Sequence, residues 1–178
     1  AAVIELAGGV RRAVTLQAPD YSFDPDELDA AIGPDTRLLM LNTPHNPTGK
    51  VFSRAELEVV ARVAIEHDLV VVTDEVYEHM TYDGTVHVPL ASLPGMAERT
   101  VTISSGGKSF GLTGWKVGWA HAPGELIQAV HTVKQHLSFT SGAPFQRAMV
   151  TALNLGDDYF TGLADDLRAK RDLVVDGL

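Results

Sequence analysis

The sequence predicts an α/β fold of three layers, α/β/α, around a mainly parallel sheet. Two apolar segments, residues 37–42 and 69–73, flank an amphipathic helical segment, which is the spacing of a βαβ unit. A third strand-like segment follows at residues 100–104, and crossovers of this kind keep successive strands parallel. The length of 178 residues suits one globular core and is too short for two ordinary domains joined by a linker.

The first third of the chain contains two strand-like segments and a short helix. Residues 3–6, three of which are apolar, resemble a strand, so the chain opens on a predicted strand. Asp24 is placed to cap a helix that has a proline in its first turn and Gly33 beyond its end. Residues 37–42 then predict a buried strand, and the proline-rich residues 43–49 predict a loop.

The remaining elements continue the alternation of helix and strand. Ser53 and Glu56 fit a capping box for a helix that extends to about His67, and residues 69–73 have the doubly apolar pattern of a central parallel strand. Residues 117–121 predict a strand at the edge of the sheet. Three further helices are predicted around residues 126–137, 144–155 and 158–175.

Composition narrows the range of functions. A formal net charge of −9 argues against a nucleic-acid partner, because binding phosphates over a broad surface requires clustered Lys and Arg. The chain has no cysteine, no basic and apolar leader, and no apolar run long enough to span a bilayer. A protein with no membrane partner and a cytoplasmic location is therefore expected.

Three polar residues follow the predicted carboxyl ends of three successive strands: Asn46, Asp74 and Lys108. Each alone has an ordinary structural interpretation, as a turn former, a helix cap or a solvated side chain. Open α/β sheets, however, bind their ligands at this edge. A lysine amine forms a Schiff base with an aldehyde cofactor, and a carboxylate beside a pyridine nitrogen keeps that ring protonated.

The neighbours of these residues suit the same chemistry. Two glycines precede Lys108 and allow close backbone approach, while Ser105 and Lys116 offer donors to a phosphate. Tyr77, three residues after Asp74, is placed to donate its phenol to a ring oxygen, although a packed tyrosine at a strand end fits the spacing equally well.

Four segments carry a resemblance to a known family. They are NTPHNPTGK at residues 42–50, TDEVY at 73–77, SSGGKSF at 104–110 and GWKVGW at 114–119. In this order they resemble the class I/II aminotransferases of fold type I, which depend on pyridoxal 5'-phosphate (PLP). The resemblance covers essentially the whole chain and is greatest to the branch of kynurenine, glutamine and N-succinyldiaminopimelate aminotransferases.

The resemblance implies a role for each candidate residue. Lys108 would form the Schiff base with PLP and then shuttle a proton between substrate and cofactor carbons. Asp74 would hold the pyridine nitrogen, while Asn46 and Tyr77 would bind the ring oxygen. The implied reaction moves an amino group from an amino acid to a 2-oxo acid.

The phosphate of the cofactor would be bound by Ser105 and Lys116. Many family members have arginine where this chain has Lys116, so a point charge replaces a bidentate fork. The resemblance also implies a tight turn with a cis peptide bond between Asn46 and Pro47.

The resemblance further implies that the chain is the large, PLP-binding domain, incomplete at both ends. The segment of about residues 157–178 would be a helix leading towards a missing small domain. A glycine-rich phosphate loop and a stacking aromatic would precede residue 1, and an arginine for the substrate carboxylate would follow residue 178. The parent protein is expected to be a homodimer.

Alternatives remain at this stage. Residues 69–75 and 107–109 resemble parts of a P-loop nucleotide hydrolase, but Thr102 occupies the position of the first glycine of that loop. A PLP-dependent carbon–sulfur β-lyase and a non-catalytic PLP-binding regulatory module would use the same core. No histidine pair has the spacing of a metal site, so no metal is expected.

Overall fold

The computed structural model describes residues 2–178 and divides after Arg37 into two compact units. The first unit contains helix α1 (Ala2–Leu6), the antiparallel pair β1 (Leu16–Gln17) and β2 (Ser22–Phe23), and helix α2 (Pro25–Ala31). Helix α2 begins as predicted, because the Asp24 side chain accepts a hydrogen bond of 2.9 Å from the Asp26 amide.

The strand predicted at residues 3–6 is wrong, because these residues lie in helix α1. Their backbone groups are satisfied locally, as in the 3.1 Å hydrogen bond from the Ala7 amide to the Val3 carbonyl. None of the α1 side chains is buried, so no tertiary packing selects the alternating pattern of a strand. The segment therefore forms a helix, whose hydrogen bonds are local and need no partner strand.

A four-stranded sheet forms the centre of the second unit. Its strands are β3 (Leu38–Asn42), β4 (Val70–Asp74), β5 (Thr100–Ser105) and β6 (Gly118–His121), in that spatial order. The first three are parallel and β6 pairs antiparallel with β5. The mainly parallel sheet and the edge position of its last strand are confirmed.

Strand β3 is less buried than its apolar sequence predicted. Met40 is 60% exposed and Leu38 is 45% exposed. The prediction of a buried strand was wrong because Leu38 and Met40, as alternate residues, share one face of β3, and the described residues leave that face exposed. Strand β3 is also an edge strand of the described sheet.

Helix α3 (Arg54–Glu66) joins β3 to β4 and has the predicted start and end. The Ser53 side chain accepts from the Glu56 amide while the Glu56 carboxylate accepts from Ser53, which completes the capping box. The helix is capped at His67. One face of α3 is buried and contributes much of the core of this unit, through Leu57, Val60, Ala61, Val63 and Ala64.

Two short helical segments and three longer helices follow strand β5, and one further 3₁₀ turn precedes it. They are α4 (Gly106–Ser109), the 3₁₀ turn Thr113–Trp115, α5 (Gly124–Leu137), α6 (Ala143–Ala152) and α7 (Asp157–Gly177), after an earlier 3₁₀ turn at Leu90–Ser92. The three longer helices predicted near the end of the chain are confirmed with small differences at their ends. Among residues 2–178, no helix combines the length and the apolar character needed to cross a membrane.

Candidate active site

The carboxyl ends of the parallel strands lie side by side. Asn42, the last residue of β3, pairs in register with Asp74, the last residue of β4, and Asp74 pairs with Ile103 of β5. Ser105 ends β5 two residues later. The three predicted polar positions therefore follow strand ends that meet at one edge of the sheet.

Asn42 links the ends of β3 and β4 and was missed by the sequence analysis. Its side-chain amide donates to the Asp74 carbonyl oxygen at 2.8 Å, and its side-chain oxygen accepts from the Asn46 amide at 2.8 Å. The only signal in the sequence was a polar residue closing an apolar strand. Asn42 thereby fixes the loop that presents Asn46 relative to the end of β4.

Asn46 and Tyr77 are in direct contact. The Asn46 side-chain nitrogen donates to the Tyr77 hydroxyl oxygen at 3.2 Å, across 31 residues of sequence. The peptide bond between Asn46 and Pro47 is cis, as predicted. Tyr77 is half-buried, and its hydroxyl meets another predicted site residue. The Tyr77 hydroxyl therefore lies where the predicted ring-oxygen ligands would meet, and its role in binding stays a prediction.

Lys108 lies in the single turn of α4, directly after β5. Its side-chain nitrogen is 5.5 Å from the centre of the Tyr77 ring, and the residue is half-buried. A hydrogen bond from the Thr113 hydroxyl to the Gly107 carbonyl, at 2.7 Å, connects α4 to the 3₁₀ turn that follows. The structure thus brings an amine, a phenol and an amide together beside the ends of β3, β4 and β5.

Asp74 presents a carboxylate to solvent at the same edge. Its Oδ1 accepts from the Val76 amide at 3.2 Å, which holds the side chain in one orientation, whereas Oδ2 meets no donor within residues 2–178. One carboxylate oxygen therefore remains available to a ligand.

Ser105 and Lys116 lie near the start of α4. Ser105 occupies the N-cap position of α4, but its hydroxyl makes no capping hydrogen bond. Lys116 is exposed and adopts a left-handed backbone conformation with φ 54°. Gly118, two residues after Lys116, is the strand partner of Ser105, so both donors lie at this end of the β5–β6 pair. Within the described residues no hydrogen bond joins Lys116 to the other five predicted site residues.

Two tryptophans, Trp115 and Trp119, flank this region and are half-buried. Trp115 stacks on Phe145 of α6 with a centroid separation of 4.7 Å. This contact connects the 3₁₀ turn before Lys116 to helix α6.

Gly118 is expected to be essential for the geometry of this end of the sheet. A Cβ added there would lie 2.8 Å from the Ser104 carbonyl oxygen, which belongs to the backbone and cannot move aside cheaply. We expect Gly118→Ala to lower the free energy of unfolding by about 1–3 kcal/mol, the usual effect of overpacking. Chemical denaturation provides the measurement.

Gly114→Ala is the matched control for this substitution. No atom lies within 4 Å of a Cβ at Gly114, so that variant should be as stable as the unaltered protein or slightly more so. Equal stabilities of the two variants would contradict the close-approach role of Gly118.

A cleft of about 470 Å³ lies beside the contact between Asn46 and Tyr77 and is also lined by Tyr82 and Asp83. Arg171 of α7 donates two hydrogen bonds to Asp83, at 2.6 and 3.3 Å, and lowers the pKa of that carboxyl group. Neither Asp74 nor Lys108 lines the cleft. We therefore place the candidate chemistry at the strand ends rather than in the cleft.

The family of the chain follows from comparison with known proteins. Residues 1–178 match the family described as "Aminotransferase class I and II". The chain belongs to this family. It is 50% identical over 179 residues to a probable N-succinyldiaminopimelate aminotransferase of Mycobacterium tuberculosis, an alignment that covers 99% of the chain and 45% of that relative. It is 44% identical over 163 residues to human kynurenine–oxoglutarate transaminase 3, covering 88% of the chain and 36% of the relative.

Solved structures agree with the family assignment. The three-dimensional structure of N-succinyldiaminopimelate aminotransferase from Mycobacterium tuberculosis matches 99% of this chain and 46% of its own, with a TM-score of 0.95 and 49% identity. The chain thus has the fold of type I aminotransferases and spans less than half the length of these relatives. Class I and II aminotransferases use PLP, and the nucleotide-hydrolase alternative is wrong.

Proposed function

We propose that the protein containing this chain is a PLP-dependent transaminase, which moves an amino group from an amino acid to a 2-oxo acid. The observation that supports the proposal best is the convergence of Lys108, Tyr77 and Asn46 beside the carboxylate of Asp74. Close relatives bear the names of transaminases, and the chain covers one part of their length.

The donor set of this chain fits PLP group by group. The primary amine of Lys108 suits the aldehyde of the cofactor, and the carboxylate of Asp74 suits its pyridine nitrogen. The Tyr77 hydroxyl beside the Asn46 amide suits the phenolic oxygen. The Ser105 hydroxyl and the Lys116 ammonium group suit the phosphate. A Cβ at Gly107 would lie 3.4 Å from the Ser105 hydroxyl, so glycine there leaves space beside a proposed phosphate donor.

The residues of the chain would divide the work as follows. When bound, PLP supplies an aldehyde that links to amines and a ring that withdraws electrons from the substrate α-carbon. Lys108 would hold the cofactor covalently and, once released, carry a proton at its side-chain nitrogen to and from carbon. Asp74 would hold the proton on the ring nitrogen, and Asn46 and Tyr77 would bind the ring oxygen. Ser105 and Lys116 would bind the phosphate.

The proposal extends to domain organisation and partners. The chain would be the PLP-binding large domain, with the helix at Asp157–Gly177 leading towards a small domain. Support comes from its coverage of less than half of each relative. A homodimer located in the cytoplasm, with amino-acid and 2-oxo-acid substrates, is proposed for the parent protein.

A panel of amino donors tests the proposed reaction on the parent protein. Conversion of the bound cofactor to its amine form, followed by recovery on addition of a 2-oxo acid, would support transamination. Turnover of a donor with a sulfur substituent on its β-carbon that releases a thiol, ammonia and a 2-oxo acid, without need of an acceptor, would instead identify a carbon–sulfur β-lyase. Absence of any spectral change with every donor would favour a regulatory module.

The 178 residues alone are expected not to transaminate, even with excess PLP. The chain supplies one side of the cofactor site, and the exposed edge strand β3 shows apolar surface such as Met40. Without groups that orient the substrate, the reaction loses a contribution worth about 7–11 kcal/mol of barrier. Single-turnover spectroscopy of this polypeptide with a panel of amino acids provides the measurement. Stoichiometric conversion of the cofactor would show that residues 1–178 contain a complete site.

A further inference from the structure

A mostly buried polar layer lies behind the candidate active site, on the opposite face of the sheet, and its most exposed member, Glu78, is 24% exposed. We define it as Glu75, Glu78, His87 and Ser104. The side chain of Glu75 is only 1% exposed and that of His87 only 6% exposed. Asp74, one residue before Glu75, is exposed at the site. Because successive side chains of an extended segment point to opposite faces, one dipeptide connects the site to this layer.

The register of the sheet supports this arrangement. Val71 and Thr73 of β4 are buried, and Glu75 continues the same alternation. Thr73 pairs with Thr102 of β5, which puts Ser104, two residues on, on the face of Glu75. Asp74 pairs with Ile103, which puts Ser105 on the face of Asp74. The proposed cofactor ligands and the buried polar layer therefore occupy opposite faces of the same two strand ends.

Glu75 has both of its carboxylate oxygens engaged. Oε2 is 2.7 Å from Nε2 of His87, and Oε1 accepts from the Leu90 amide at 3.2 Å. These partners lie 12 and 15 residues further along the chain. The carboxylate thus ties the end of β4 to the segment that returns towards β5.

The same layer fixes the turn that carries Tyr77. The Glu78 amide donates to the Glu75 carbonyl at 2.9 Å, and the Glu78 carboxylate accepts from the Ser104 hydroxyl at 2.7 Å. Tyr77 lies between these two anchored glutamates in the sequence, in the half-buried turn. Its position therefore depends on how the two carboxylates are held.

Among residues 2–178, His87 supplies the one side-chain contact to the Glu75 carboxylate, beside the backbone donor of Leu90. Its other ring nitrogen, Nδ1, is buried without a hydrogen-bond partner among the described residues, so the ring bonds through Nε2 alone. A proton on Nε2 supplies the donor that the buried carboxylate needs. Without it Glu75 would retain one backbone donor for two buried oxygens, which favours movement of its side chain towards water.

Granting the transaminase function proposed above, we propose that Glu75 and His87 are positioning residues, which hold Asp74 and Tyr77 in place from the opposite face of the sheet. They touch neither cofactor nor substrate. Their contribution is to fix the backbone of the turn that carries Asp74 and Tyr77, and the side chains of those two residues would contact the cofactor. A displacement of about 1 Å in such a site can reduce the rate about a hundredfold.

Three substitutions of His87 in the parent protein test this role. His87→Leu removes the donor. His87→Gln places an amide nitrogen the same number of bonds from the backbone as Nε2, so it restores the hydrogen-bond donor to Glu75. His87→Asn carries the same amide group one bond closer to the backbone, too short to restore that donor. His131→Leu, on the exposed face of α5, and Val63→Ala, in the core of α3, are controls for the substitution itself and for loss of stability.

The measurements are the dissociation constant of PLP, the pH midpoint of the absorbance change of the bound cofactor, and kcat with one active donor. We expect His87→Leu and His87→Asn to raise the dissociation constant about tenfold and to lower kcat about a hundredfold. If Asp74 holds the pyridine ring of the cofactor less firmly, the ring withdraws electron density less strongly. The pH midpoint of the absorbance change should therefore rise by up to about one unit. His87→Gln and both controls should stay within twofold of the unaltered protein, as a rough bound on experimental scatter.

The outcomes separate the two proposals. An unaltered parent protein that takes up no PLP would reject the proposed function itself. If the unaltered protein binds PLP but His87→Asn leaves all three quantities unchanged, the positioning role is overturned. The same conclusion follows if Val63→Ala moves the absorbance midpoint as far as His87→Leu, because a general loss of stability would then explain the effect.

Discussion

Lys108→Ala is expected to abolish covalent attachment of PLP to the parent protein and to lower turnover by about a thousandfold or more, which corresponds to about 4 kcal/mol of barrier. The side-chain nitrogen of Lys108 lies 5.5 Å from the Tyr77 ring centre, in the turn that directly follows β5. Alanine removes the only amine that the described residues place at these strand ends in contact with Tyr77. Noncovalent binding of PLP should survive, because the carboxylate and hydroxyl donors remain.

Borohydride reduction followed by peptide mapping provides the measurement for Lys108. The unaltered protein should carry a pyridoxyl label on Lys108, and the variant should carry none. Lys134→Ala, on the exposed helix α5, is the matched control and should retain the label. A label on Lys50, Lys116 or Lys134 in the unaltered protein would reject the assignment.

Local signals in the sequence predicted local structure well. The capping box of Ser53 and Glu56 and the cap of Asp24 form as expected, because their donors and acceptors lie within three residues of each other. The mainly parallel pairing, the edge position of the last strand and the sheet edge that carries Asn46, Asp74 and Lys108 also followed, since crossover chirality leaves few alternatives. These features depend on short-range chemistry and general topology.

Burial and long-range polar contacts were harder to predict. The apolar composition that indicated a buried strand at residues 37–42 belongs to a strand with one exposed face, because the burial of a face depends on the elements that pack against it. Residues 3–6 form a helix where a strand was predicted. The bond between Glu75 and His87 joins residues 12 apart with no recurring spacing, so no sequence pattern signals it. Asn42 was overlooked in part for the same reason, since one of its two side-chain contacts spans 32 residues, although the other spans only four.

Some of the six candidate site residues were identified from the chemistry of the sequence, and others from the resemblance to a family. Strand ends and glycines pointed to Asp74 and Lys108 from chemistry alone. The pairing of Asn46 with Tyr77 came from the resemblance to aminotransferases, and the 3.2 Å contact between their side chains is consistent with it. Ser105 and Lys116 lie near the same end of the β5–β6 pair, and their phosphate-binding role stays a prediction.

Asp74→Asn is expected to leave the fold intact while lowering turnover of the parent protein by orders of magnitude. Asp74 is exposed and makes one side-chain hydrogen bond, from the Val76 amide to Oδ1, which the side-chain oxygen of asparagine can also accept. The substitution therefore removes the negative charge with little change of shape. Without that charge a pyridine ring keeps its proton less readily and becomes a poorer electron sink. A loss of about a hundredfold to a thousandfold corresponds to about 3–4 kcal/mol of barrier.

Steady-state kinetics and thermal melting, measured on the same preparations, test the role of Asp74. Asp35→Asn removes an equal charge from an exposed turn and should change neither turnover nor melting temperature by a measurable amount. Asp74→Glu retains the charge but places it one bond further out, so it should retain part of the activity that asparagine loses. Near-normal turnover of Asp74→Asn would show that the charge at this position does not hold the ring proton. A large fall in melting temperature would show instead that Asp74 has a structural role, which its exposed position and single side-chain hydrogen bond argue against.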